Sequence, residues 1–168
     1  MAKVTFQGSP VDLSGPELKV GDHAPESFTL TANDLSPVPG SALAGKPRIL
    51  VTAPSLDTPV CDLEGRRFNK EAAAIPGLEV YVISMDLPFA QKRWCGAAGV
   101  DRVKTLSDYN ARSFGLAYGV LWAGPQLLAR AVFVVDRDDH VRHVEYVREI
   151  TTEPDYAAAL AVARALVR

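Results

Sequence analysis

The sequence predicts an α/β fold with a mixed central sheet, flanking helices and an N-terminal β-hairpin, and three features carry that prediction. Two strongly apolar runs, Arg48 to Ala53 and Val80 to Ser84, read as buried strands with room for a helix between them, which makes a βαβ unit. Ala131 to Val135 and His140 to Tyr146 are separated by the turn sequence Asp136-Arg137-Asp138-Asp139 and read as an antiparallel pair. The chain then closes with apolar residues at helical spacing, Tyr156, Leu160, Ala163 and Val167.

Taken in order, Val4 to Phe6 and Val11 to Leu13 flank Gln7-Gly8-Ser9-Pro10, a hairpin with a turn slightly longer than two residues. Val20 to Pro47 is rich in Pro, Gly, Asp and Ser and is expected to wrap the core, with one strand at Phe28 to Thr31 and a helical turn near Ser41 to Ala44. Pro54 stops the first buried strand. After the βαβ unit come a short helix around Phe89 to Cys95, a strand near Val103 to Leu106 and a helix near Asn110 to Tyr118. Thr152 is the expected cap of the last helix, with Asp155 three residues on. βαβ followed by ββα is the order of a thioredoxin-like core. No repeat, low-complexity tract or linker interrupts it, so residues 1–168 are expected to form one domain, with 1–18 as a hairpin extension.

Composition narrows the function. An apolar content of 48% is enough for a core, and 18 Lys and Arg against 20 Asp and Glu leave a net charge of −2 without blocks of like charge. Neither a nucleic-acid nor a membrane partner is indicated. The first residues lack the continuous apolar stretch of a signal peptide, and no segment approaches the ~18 apolar residues of a membrane span, so a cytoplasmic protein is expected. Two cysteines and three scattered histidines do not make a regular metal site, and no cofactor is expected. The cysteines would act as redox or nucleophilic groups.

The segment Pro54-Ser55-Leu56-Asp57-Thr58-Pro59-Val60-Cys61 lies between the end of a central strand and the start of a helix, where open α/β sheets bind ligands. With Thr58 as N-cap and Pro59 at the first helical position, Cys61 falls within the turn whose N–H groups lack helical partners. That position favours thiolate over thiol. Ionisation alone would not make a fast nucleophile. Lowering a cysteine from about 8.5 to about 6 raises the thiolate fraction from ~3% by roughly 30-fold. The accompanying loss of nucleophilicity is roughly 13-fold, so the net gain is about twofold. The remaining acceleration must come from donors that hold a substrate in line with the sulfur and stabilise the leaving oxygen. Backbone N–H groups, the Thr58 hydroxyl and an arginine from elsewhere are candidates. A lone cysteine is more often a buried structural one, and Cys95 alone would read as a core residue on a short helix. Paired with Cys61 it becomes a candidate resolving thiol, and the separation of the two excludes a Cys-x-x-Cys exchanger.

Five stretches then give a resemblance. Pro54-x-x-x-Thr58-x-x-Cys61, VTFQGSPV at the start, SMDLPFAQKRWCG around Cys95, LLARAVFVVD around Arg130 and EITTEPDYAAAL near the end resemble the bacterial thiol peroxidases, a branch of the atypical two-cysteine peroxiredoxins. The likeness runs from about Val4 to Leu166. It implies a peroxidatic Cys61, a resolving Cys95 in the same chain, Thr58 and Arg130 as donors, and Pro54 shielding the thiolate. It also implies hydroperoxide substrates, thioredoxin as reductant, antioxidant defence and a homodimer. Arg66, Arg67 and Arg93 are second-choice donors. Ala53 and Trp94 depart from the family's usual residues, and the chain lacks the Gly-Gly-x-Gly and Tyr-Phe features of peroxiredoxins that pair cysteines between subunits. Without the resemblance, a redox sensor read by a partner or a general disulfide reductase would remain open, the latter disfavoured by a single cysteine at the helix start.

Overall fold

The computed structural model describes residues 1–72 and 74–167. The chain opens with β1 (Val4–Phe6) and β2 (Ser9–Val11), followed by β3 (Leu13–Ser14), β4 (Thr29–Thr31), β5 (Pro37–Pro39) and a 3₁₀ turn at Gly40–Ala42. The central unit is β6 (Arg48–Thr52), α1 (Pro59–Ala72), β7 (Glu79–Ser84), α2 (Pro88–Ala98) and β8 (Lys104–Ser107). After it come α3 (Ser113–Tyr118), β9 (Leu121–Trp122), β10 (Leu127–Leu128), β11 (Ala131–Val135), β12 (Val141–Tyr146) and α4 (Tyr156–Leu166).

Seven strands form one sheet in the order β12-β11-β6-β7-β8-β4-β5. β6, β7 and β8 are parallel, while β11 and β4 join their flanks antiparallel, so the sheet is mixed as expected. Both faces are covered, and this is why β6, β7 and β11 read as unbroken apolar runs. Alternate residues serve opposite faces. Ile49, Val51, Val80, Val82, Val132 and Val134 pack with Phe68 of α1 and with Tyr156, Ala159, Leu160 and Ala163 of α4. Leu50, Tyr81, Ile83, Phe133 and Val135 pack with Phe28, Phe114 and Tyr118.

Four local expectations change. The N-terminal hairpin has a two-residue turn, because Gln7 and Gly8 both take positive φ (51° and 83°) and Ser9 and Pro10 belong to β2, paired with Phe6 and Thr5. Pro10 is tolerated there because β2 is an edge strand. Leu13 leaves the hairpin and pairs with Trp122 of β9. The cap of α4 is Asp155, whose carboxylate accepts from Ala158 N–H at 3.0 Å, whereas the Thr152 hydroxyl donates to the Glu149 carbonyl in the turn before it. α2 is longer than expected and α3 shorter, with Gly99 and Gly119 in left-handed conformation ending them.

The hairpin is fastened to the segment after β12. Thr5 N–H donates to the Arg148 carbonyl and Ile150 N–H to the Thr5 carbonyl. Glu149 accepts from the Thr5 hydroxyl and from Gln7 and Gly8 N–H. Hydrogen bonds from the Thr151 hydroxyl, then from the Thr151 and Gly8 amides, hold the Glu149 carboxyl down at about 2. These contacts are present while Glu149 is ionised and are lost as pH falls through that value. Titration of the Gly8 and Thr151 amide shifts should therefore follow Glu149 with a midpoint near 2. A midpoint at the ordinary 4.5 would mean that the carboxylate does not bind them.

Candidate active site

The site lies where β6 ends and β11 begins. Ala131 pairs with Thr52 in the antiparallel register, so the residue before β11, Arg130, comes beside the chain leaving β6. The Thr52 hydroxyl donates to the Ala129 carbonyl at 2.7 Å and pins that junction. From there the chain runs through buried Ala53 and Pro54 into the Ser55–Thr58 turn and α1. Pro59 is the first residue of α1 and Cys61 the third. Cys61 N–H donates to Thr58 Oγ1 at 3.4 Å, a weak form of the expected cap, while that hydroxyl donates to the Ser55 carbonyl at 3.0 Å.

Arg130 is the organising group. Its side chain is 2% exposed, and its three nitrogens donate to three groups. Nη2 meets Cys61 Sγ at 3.2 Å, Nη1 meets Glu64 Oε1 at 2.9 Å, and Nε meets the Ile150 carbonyl at 2.9 Å. A guanidinium suits this because its planar fork carries donors in fixed directions and remains charged when buried. The structure thus brings together Cys61, Thr58 and Arg130, with Pro54 buried in the turn leading to them. It separates the second-choice donors from the sulfur. Arg66 pairs with Asp62 at 3.0 Å, Arg67 lies over the Tyr156 ring at 4.3 Å, and Arg93 is exposed.

Glu64 was not foreseen. It stands three residues after Cys61 on the same helix face, a spacing from which it could have been found. Burial pushes its carboxyl up from 4.5 to about 8, against the attraction of Arg130, and among the described residues Oε2 has no hydrogen-bond partner. One buried guanidinium therefore faces two acids. Asp86 was also missed, although it lies within the SMDLP stretch. It accepts from the Ser55 hydroxyl at 2.7 Å and from Leu56 N–H at 2.8 Å, fastening the turn before α1 to the end of β7.

Cys95 lies on α2, partly exposed, with Thr105 Oγ1 3.4 Å from its sulfur. It lines a cavity of about 560 Å³ together with Asn33, Tyr81 and Thr105, and Cys61 is not part of that lining. Both thiols are free.

Residues 19–160 match the Redoxin family. The chain is 54% identical to a thiol peroxidase of Halalkalibacterium halodurans over 98% of its own length and 99% of that protein's. It is 51% identical to a thiol peroxidase of Bacillus subtilis over the full length of both. A peroxiredoxin-like protein of Aquifex aeolicus superposes with a TM-score of 0.89 at 43% identity, covering 98% of this chain and 97% of that one. A thiol peroxidase from Chromobacterium violaceum shares the fold at 23% identity, with a TM-score of 0.87 and 97% and 95% of the two chains covered.

The Glu64 environment generates a pH prediction. Its folded value, about 8, lies above its ordinary 4.5, so folding takes up a proton between the two and stability declines as pH rises across that window. Urea unfolding of Cys61→Ser, which removes the thiol's own titration, should show this decline, and adding Glu64→Gln should flatten it. Parallel pH profiles would mean that Glu64 titrates as an ordinary surface carboxylate.

Proposed function

The chain belongs to the Redoxin family and, within it, to the thiol peroxidases, and from that membership we propose how its residues divide the thiol-dependent reduction of peroxides. The observation that carries the assignment is the 3.2 Å hydrogen bond from Arg130 to a buried Cys61 sulfur at the start of a helix. The Cys61 thiolate attacks the nearer oxygen of a hydroperoxide. An S–O bond forms as the O–O bond breaks, and the leaving oxygen takes up the proton released when the Cys61 thiol ionised and departs as water or alcohol, leaving Cys61 as the sulfenic acid. Arg130 holds sulfur and peroxide in line and stabilises charge on the oxygens, while Glu64 and the Ile150 carbonyl aim its guanidinium. Thr58, which accepts from the Cys61 N–H, holds the reacting residue in the first turn, and Pro54 keeps water from the thiolate.

Cys95 then attacks the Cys61 sulfenic acid. The S–S bond forms, the S–O bond breaks, and water leaves with the Cys95 proton. Thioredoxin reduces the disulfide by thiol exchange and returns both cysteines to the free state. Four of the exposed apolar residues, Leu87, Phe89, Tyr109 and Leu116, borne by the start of α2, the turn after β8 and α3, support a homodimer through that side. Among the described residues no helix is long and apolar enough to cross a membrane. A cytoplasmic site, where thiols are kept reduced, agrees with two free cysteines.

Steady-state peroxidase assays with thioredoxin and its reductase test these roles. Cys61→Ser should be inactive, and Cys95→Ser should consume about one equivalent of peroxide in a first burst and a second only as sulfinate forms, without sustained turnover. Arg130→Ala should lose ~10²–10³ in peroxide reactivity. Because that truncation leaves the buried Glu64 carboxyl group without its partner, Arg130→Met with Glu64→Gln should show the same kinetic loss in a better-folded protein. Near wild-type turnover of Cys61→Ser, or an unchanged rate without Arg130, would contradict the assignment. For hydrogen peroxide against organic hydroperoxides, a comparison on the wild type decides preference.

A further inference from the structure

The helices that carry the two cysteines are tied together at the residues next to those cysteines. Asp62 follows Cys61 on α1, Trp94 precedes Cys95 on α2, and the indole Nε1–H donates to Asp62 Oδ1 at 2.7 Å. The indole ring lies against Gly65, where a Cβ would come within 2.6 Å of its Cη2 atom, so this glycine is what lets the helices meet. The second Asp62 oxygen accepts from Arg66 Nε at 3.0 Å, and Arg66 Nη1 donates to the Ala98 carbonyl at 3.3 Å. One carboxylate thus holds α2 directly and through Arg66. Farther along α1, Asn69 Oδ1 accepts from Asp101 and Val103 N–H, both at 3.2 Å.

Consecutive helical residues point about 100° apart. While Asp62 and Trp94 face each other, the residues beside them, Cys61 and Cys95, are turned elsewhere: one sulfur to Arg130 and the other to Thr105. A disulfide requires its Cβ vectors to face with Cα atoms about 4.4–6.8 Å apart, so the tie has to open before the sulfurs can join. We propose that the Asp62–Trp94 hydrogen bond is a latch that sets how fast oxidised Cys61 reaches Cys95, and thereby how much enzyme is lost to over-oxidation. The proposal rests on the reading that Cys61 and Cys95 form the catalytic disulfide. While the latch is closed, the Cys61 sulfenate stays beside Arg130, where a second peroxide can transfer an oxygen to it, giving sulfinate and one more alcohol or water. Once the latch opens, Cys95 displaces the sulfenate oxygen and protects the sulfur. Latch strength sets the partition between these fates.

The test follows the first oxidation in single-turnover experiments, with thiols quenched at intervals and dithiol, disulfide and sulfinate resolved by intact mass. Trp94→Phe keeps a ring against Gly65 without the N–H, and Asp62→Ala removes the acceptor. The first oxidation should stay within about twofold of wild type in both, because neither group touches the sulfur or Arg130. Disulfide formation should accelerate by roughly tenfold in each, and sulfinate under excess peroxide should fall in proportion. The double variant should be no faster than Asp62→Ala alone, since that change already removes the bond that Trp94→Phe breaks. Asp62→Ala also removes an acid from the first turn of α1, so the Phe variant and the cycle separate the latch from general loosening of that turn. Unchanged disulfide rates, or effects that multiply in the double variant, would overturn the latch alone. Sustained turnover by Cys95→Ser would overturn the disulfide reading, and the latch with it.

Discussion

The buried guanidinium of Arg130 is the constraint around which the rest of the site is arranged. A charge excluded from water is tolerated only when its donors are occupied, and here they reach a sulfur and a carboxyl group on α1 and a carbonyl in the segment after β12. Each partner has its own support. Cys61 and Glu64 share a face of α1, while Ile150 is held by its own N–H to Thr5 of the N-terminal hairpin. The hairpin is therefore more than an appendage. It fixes the carbonyl that aims Nε, and with it the direction in which Nη2 meets the sulfur. The antiparallel β6–β11 register completes the arrangement by delivering Arg130 to the strand end from which the Cys61 turn departs.

The parts legible in the sequence were those with a repeated or local signal. β6, β7 and β11 declare themselves because burial on both faces leaves unbroken apolar runs, Ile49 to Val51, Val80 to Ile83 and Ala131 to Val135, and the Thr58-Pro59-x-Cys61 start of α1 follows from capping chemistry alone. The parts that were not legible depend on tertiary partners. β3, β9 and β10 have two residues each, too short for any periodicity. Thr152 and Asp155 are both good caps, and only the path of the preceding turn, where Thr152 is occupied by Glu149, selects Asp155. Arg130 looks like an ordinary solvated arginine until the sheet order is known, and without the family resemblance its role would not have been read. Glu64 is a charged residue on an otherwise mixed helix, and its three-residue spacing from Cys61 is the one local sign that it shares the inward face of α1.

Gly65 shows how a local reading can carry the wrong sign. In isolation a glycine inside a helix weakens it, and on that basis α1 would be expected to loosen near Cys61. In the folded chain the missing side chain is filled by the Trp94 ring, so the same residue brings α1 and α2 into contact. Gly96 has no such neighbour within 4 Å, and there the weakening stands. The two glycines, similar in sequence context, act in opposite directions because one faces a partner and the other faces open space.

Stability is distributed unevenly along α1, and the distribution fits the chemistry. The far half is fixed by apolar burial: Phe68 and Ala72 pack in the same cluster as Val80, Val82 and Tyr156, and releasing them would expose part of the core. The first turn is held differently, by a weak Thr58 cap and by polar ties from Asp86 to the preceding turn and from Asp62 to α2. Water can replace polar contacts at the surface, so they open at much lower free energy than a buried apolar cluster. The helix can then release its first turn without surrendering the second half. Arg130 sits on the other side of that boundary, buried at the end of the sheet, and keeps its hold on Ile150 when the turn leaves. In the proposed mechanism the group that activates the sulfur is thereby retained in place while the sulfur moves, which is what a site must do if the same atom first meets a peroxide and then a second thiol.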